Sequence, residues 1–212
     1  MTNDRPTTLP PPWAESLLRL MLRPDDRDSV SGDLLEEYRE SIVPALGSKA
    51  NRWYIRQLAW YVLRATWVWS VVVGAICLWR YLLDTLVPIH YTPGVIALRS
   101  AVMSWALIAT FFGCGAWHAW RTRHLRAGVL LALSAATLGG YLGMAGTLIS
   151  LAISHGPETM AAIEGSGGLF EGFPGAPLLL GILAFITSTP GAIAARIAAT
   201  VYDWSSAKTK SA

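Results

Sequence analysis

Along this chain the alternation of polar and apolar residues changes character near residue 65. Before that point apolar residues return at helical spacing between charges, and after it they come in long unbroken runs. The stretch PPWAESLLRLMLR predicts a short helix with Pro12 in its first turn and Pro24 closing it. Trp13, Leu17, Leu20 and Met21 follow one another at helical spacing and form its apolar side. In the next segment Val30, Leu34, Tyr38 and Ile42 recur every four residues beside Leu35, while Asp33, Glu36, Glu37 and Glu40 take the opposite side. SGDLLEEYRE is thus expected to lie in one amphipathic helix, and Gly32 within it points to close contact with the first helix. Two short helices bury little surface alone, so they are expected to lean on a third helix, over 48–65.

Four runs downstream are long enough to cross a hydrocarbon core, which takes roughly 20 apolar residues in a helix. They cover about 66–87, 97–120, 127–154 and 177–200. The expected fold is an all-α membrane protein. A cytoplasmic helical N-terminal domain (1–47) leads through a juxtamembrane helix (48–65) into a four-transmembrane-helix bundle (66–200) and a cytoplasmic tail (201–212).

Charge sets the orientation. Lys49, Arg52, Arg56 and Arg64 precede the first run, Arg121, Arg123 and Arg126 separate the second and third, and Arg196, Lys208 and Lys210 accompany the end of the fourth. The connection 88–96 is uncharged and 155–176 carries only Glu158, Glu164 and Glu171. All basic flanks share one side if both termini are cytoplasmic, in a multi-pass protein of the cell inner membrane. Aromatic residues gather at the same ends: Trp53, Tyr54, Trp60, Tyr61, Trp67 and Trp69, then Trp117 and Trp120, then Tyr202 and Trp204. These read as an interfacial belt. Arg52, Arg56 and Trp60 share one helix face; with Arg64, Arg121 and Arg123 they are the expected contacts to membrane lipids.

Composition agrees with this picture: charged residues make up only 15% of the chain and mean hydropathy is +0.40. The first 50 residues hold six cations against nine carboxylates, net −3, so the basic pI of 9.0 belongs to the membrane part. An acidic soluble part argues against nucleic acid as a partner. MTNDRPTTLPPP has neither an apolar core nor a cleavage site, so no removable signal peptide is expected.

Charges within the runs are functional suspects. Arg80 and Asp84 stand one turn apart near the outer end of the first run, and Arg99 begins the second. The simplest expectation is a structural ion pair at the outer boundary, with a gating or substrate site as the alternative. Cys114 and His118 have a metal-compatible spacing, and His90 and His155 lie on outer connections, but neither pair has a third ligand. No metal and no cofactor is expected, and Cys77 and Cys114 read as packing residues. EGSGG reads as a flexible external connection, with Leu169, Phe170 and Phe173 dipping into the interface. Ala135, Gly139 and Gly143 form a small-residue face, as do Gly191, Ala195 and Ala199 after Pro190. Such faces bring helices close, within the bundle or, alternatively, in a homodimer. Pro190 is expected to bend its helix and free a carbonyl for Thr187 or Ser188.

One similarity reaches beyond pattern. Residues 10–57, with PPPWAESLLRLML, GDLLEEY and RWYIRQ, resemble the second type of permease prefix domain, an N-terminal extension of bacterial permeases related to macrolide-exporter ABC transporters. The resemblance implies a bacterial inner-membrane protein carrying a prefix module, with a membrane transport protein as partner. It assigns no catalytic residues. This chain departs from such permeases by ending after four spans and by lacking a nucleotide-binding motif.

Three functions follow as expectations. The first is a non-enzymatic interaction or regulatory module whose Asp33, Glu36, Glu37 and Glu40 meet a cytoplasmic partner. The second is a small oligomeric transporter or channel with Arg80, Asp84 and Arg99 near its mouth. The third is a membrane-tethered regulator of the anti-sigma kind, not a zinc-binding one, since the soluble part has neither His nor Cys. An enzyme is not expected: no nucleophile–base pair, metal triad or paired intramembrane acids stand out.

Overall fold

The computed structural model describes residues 9–86, 93–154 and 168–210. Among these residues every regular element is helical. In chain order the helices are α1 (Pro12–Met21), α2 (Arg27–Glu37), α3 (Val43–Leu46), α4 (Ala50–Leu86), α5 (Pro93–Thr122), α6 (Leu125–Ser154) and α7 (Gly168–Lys210). Four of them, α4 to α7, contain stretches long and apolar enough to cross a membrane.

The head is built from α1, α2 and the first turns of α4. Its core holds Ala14 and Leu18 from α1, Leu34 from α2, Tyr38, and Ala50, Tyr54 and Leu58 from α4. The apolar face read for α2 is the one buried, since Leu34 and Tyr38 are interior and Val30 and Ile42 half-buried. On α1 the face is rotated. Ala14 and Leu18 are interior, Leu17 and Met21 flank them, and Trp13 is 56% exposed. The small alanine lets α1 approach α4 more closely than an indole would allow.

Gly32 does not mark the contact between α1 and α2. A Cβ built there meets nothing within 4 Å. Its neighbour Ser31 takes that place, fully buried and accepting a hydrogen bond from Arg19 Nε at 3.2 Å. The segment SGDLLEEYRE also does not end as a plain α-helix: Tyr38–Ile42 widens into a π turn. Pro44 stands two residues beyond this turn, and its ring and missing N–H disfavour an ordinary α-helical turn back to residue 40, which the wider turn relieves. Gly47, at φ 52°, then breaks the path before α4 begins.

α4 is unbroken for 37 residues, so the juxtamembrane helix and the first span are one rod. α6 is the central helix of the bundle, packing on α4, α5 and α7, while α4 rests mainly on α6 and α5 mainly on α7. Small residues make this possible. A Cβ on Gly139 would lie 2.5 Å from Val73 Cβ, and one on Gly143 would lie 2.7 Å from Cys77 Cβ. On the other side of the bundle a Cβ on Gly191 would collide with the carbonyl oxygen of Phe112. The small faces read from the sequence are therefore occupied inside the bundle.

Two sequence expectations are corrected in α7. The helix already begins at Gly168, so Leu169, Phe170 and Phe173 are on a helix and not in a connection, and it continues through the tail to Lys210. Pro190 lies inside this helix, and the carbonyl it frees is not capped as expected. The hydroxyls of Thr187 and Thr189 donate to the carbonyls of Leu183 (2.8 Å) and Phe185 (2.7 Å), not to Ile186, whose carbonyl Pro190 leaves without a backbone donor. Ser188 Oγ is buried without a hydrogen-bond partner.

Replacing Gly139 by Leu forces a side chain into Val73 and the Ser70 carbonyl, and is expected to destabilise the bundle by about 1–3 kcal/mol or more. Gly181→Leu, where a Cβ has open space, is expected to be near neutral. Thermal unfolding of both variants in the same detergent measures the difference.

Candidate functional site

The chemistry on show is concentrated at one end of the bundle, where the head, the α5–α6 turn and the far end of α7 meet. The turn is short. α5 stops at Thr122, Arg123 adopts φ 61°, and α6 starts at Leu125. Thr122 Oγ1 closes the helix end by donating to His118 O (2.8 Å) and accepting from His124 N (3.3 Å). A left-handed arginine is unfavourable unless its surroundings hold it. Here Arg123 Nη2 pairs with Asp203 Oδ1 on α7 at 3.2 Å, and its guanidinium lies 5.3 Å from the centre of the Trp120 ring. Trp120 in turn packs on Tyr202, ring centres 6.2 Å apart.

Arg27 fastens the head to this turn. Its Nε donates to the carbonyl of Arg19 at 2.9 Å and its Nη2 to the carbonyl of Thr122 at 2.8 Å. Both acceptors lie in the last turns of helices, α1 and α5, where carbonyls lack intrahelical partners and the helix dipole favours a cation. One guanidinium thereby completes two helix ends and joins them. His124 sits beside this contact. Burial, and then the nearby Arg27 and Arg196, lower its pKa from the ordinary 6.5, favouring the neutral ring.

Inside the head, Tyr38 and Tyr54 meet edge to face with centres 5.7 Å apart, and Tyr38 donates to Asn51 Oδ1 at 2.6 Å. Tyr54 is fully buried, so it belongs to the head core and not to the interfacial belt expected for it. Its phenol is pushed up to about 12, chiefly by burial and then by the Glu15 carboxylate, with Arg19 opposing.

The four carboxylates expected to bind a partner, Asp33, Glu36, Glu37 and Glu40, are all exposed. Their spacing puts them on one side of α2 and its π turn, away from the core formed by Leu34 and Tyr38. Among the described residues none of the four makes an ion pair, in contrast to Glu15, which holds Arg19 at 3.1 Å. Arg52, Arg56, Trp60, Arg64 and Arg121 are exposed as well. Arg123 departs from that set, because its side chain is engaged within the protein by Asp203 and Trp120.

Arg80 and Asp84 are on α4, but their side chains, like His90 and His155, lie outside the described residues; Arg99 is half-buried near the start of α5. Cys114 is buried against Ala132, Ala135 and Trp69. His118 is buried, with Nε2 lacking a partner. Among the described residues no group of three His, Cys, Asp or Glu is placed to hold a metal.

Arg27, His124, Asn51 and Asp203 are the residues that sequence reasoning missed. Nothing in their spacing pairs Arg27 with Thr122, 95 positions away. Arg27→Ala removes a charge-assisted bond from each of two helix ends, about 1.5–3 kcal/mol apiece. It is expected to raise hydrogen–deuterium exchange in α1 and α2 while α6 stays protected.

His124 adds a pH dependence of known sign. Its folded-state pKa is depressed, so its contribution is complete above about 6.5 and is lost as pH falls through the lowered value. Protection of α1 and α2, taken relative to the intrinsic amide exchange rate at each pH, is expected to be weaker at pH 5.5 than at pH 7.5, and His124→Gln to remove that difference. In comparisons with protein-family models, curated proteins and solved structures, nothing matches this chain.

Proposed function

We propose that this chain is a non-enzymatic interaction module of the bacterial inner membrane, with both termini in the cytoplasm. The bundle anchors it, and the acidic side of the head receives a partner belonging to membrane transport machinery. The observation that carries this reading is the row Asp33, Glu36, Glu37 and Glu40, exposed and without an ion pair among the described residues, on a head fastened to the bundle by Arg27.

Three further facts support it. Like charges set side by side on one helix face repel each other and cost stability, so a face that keeps four of them suits a basic partner better than it suits folding. The head is held in a fixed pose by its contacts to α4 and to the α5–α6 turn, which limits the ordering entropy lost on association. The basic residues Arg52, Arg121, Arg126 and Arg196 stand at the same end as the head, the pattern expected of a cytoplasmic face. The link to transport machinery rests on the resemblance of residues 10–57 to permease prefix domains.

Reversing the charge with Glu36→Lys and Glu37→Lys is expected to release proteins that co-purify with the wild-type chain in mild detergent, while its thermal unfolding stays the same or rises slightly as the repulsion is relieved. An identical set of co-purifying proteins by mass spectrometry contradicts the reading.

A further inference from the structure

At the head end of the bundle a groove of about 460 Å³ opens sideways on the surface of the spans, lined by Trp69, Gly113, Ala116, Trp117, Trp120 and Ala195. Its size falls within the roughly 300–1,000 Å³ typical of small-ligand sites. Gly113 makes its floor, since a Cβ there would touch the Trp69 ring at 3.5 Å. The walls are indoles and small apolar residues, and the mouth is not.

Arg121 is one helical turn beyond Trp117 on the same face of α5, exposed, with no acceptor among the described residues. Arg123 lies over Trp120 with Nη2 held by Asp203, so it backs the mouth from within while Arg121 faces outward. An exposed guanidinium at the mouth is suited to a charge-assisted hydrogen bond with a phosphate oxygen, and Arg121 supplies it.

The depth of the groove fits the anatomy of a bilayer. At about 1.5 Å per residue, Gly113 is roughly 13 Å farther into the membrane than Thr122, at the level of acyl chains. Trp117, Trp120 and the two arginines lie near the headgroups. An occupant must be apolar along its length, enter from the hydrocarbon side and end in an anion.

We infer that this groove is a binding site for one anionic glycerophospholipid, an acyl chain lying between Trp69 and Trp117 and the phosphate meeting Arg121. The site is separate from the acidic side of the head and does not depend on which partner that side receives. It also makes the pose of the turn sensitive to lipid, because Arg121 sits directly before Thr122, the residue that Arg27 holds.

Native mass spectrometry of the full chain, released from micelles carrying equal amounts of phosphatidylglycerol and phosphatidylcholine, tests this. Retention of one phosphatidylglycerol at least about tenfold above phosphatidylcholine is expected. Arg121→Gln and the groove-filling Ala116→Phe are each expected to reduce that excess several-fold, whereas Arg126→Gln, an exposed cation at the same end, leaves it intact. Equal retention of the two lipids, or the same loss in Arg126→Gln as in Arg121→Gln, overturns the assignment. Should Ala116→Phe fail to fold, the comparison of Arg121→Gln with Arg126→Gln decides.

Discussion

A single rod, Ala50–Leu86, belongs to two environments at once, and the remainder of the architecture follows from that. Its first turns supply Ala50, Tyr54 and Leu58 to the head, and its later turns supply Val73, Cys77 and Leu78 to the bundle. The helices α1 and α2 are too short to enclose a core without it. Because α4 has no break between the two regions, the head has no hinge at that joint, and its position over the bundle is set by helix geometry. Arg27 then fixes the second point of attachment. Two contacts on different helices, α4 and the end of α5, restrain rotation as well as distance.

The division of labour inside the membrane is equally physical. In lipid, apolar side chains gain nothing from meeting one another rather than acyl chains, so close packing must hold the helices together. α6 answers with Gly139 and Gly143 toward α4 and Gly128 toward α5, and α7 answers with Gly191 toward α5. Serine and threonine hydroxyls in the spans, such as Ser70 and Thr147, donate to the carbonyl four residues back and so cost little in hydrocarbon. Among the described residues, the side-chain ion pairs and the cation–ring contacts gather at the end where the head sits. There carboxylates face outward from α2 and guanidinium groups line the junction and the membrane surface.

Much of the fold was legible in the sequence, because run length and helical period are properties of the chain itself. The four candidate spans, the continuity of the juxtamembrane helix with the first of them, and the acidic outer side of α2 follow from spacing alone. The misses have a common cause: they depend on what stands opposite. Tyr54 and Trp53 look alike in a belt of aromatics until Tyr38 meets one of them edge to face. Gly32 looked like a contact, yet Ser31 is the residue facing α1. Arg123 counted as one more basic flank, whereas its left-handed backbone and its pairing with Asp203 make it part of a turn. Of the candidate site, the acidic row was readable and the Arg27 junction was not, since long-range capping leaves no periodic trace.

The account as a whole requires the head and the end of α7 to share one side of the membrane, the cytoplasmic side, and the beginning of α5 to face the other. Single cysteines at Glu37, Ser206 and Gly94, in a chain with Cys77 and Cys114 replaced by Ala, report this through labelling of intact cells with a membrane-impermeant maleimide. Reaction at residue 94 with protection at 37 and 206 until the cells are opened is the outcome required. Labelling of 37 or 206 from outside, or of all three alike, contradicts it.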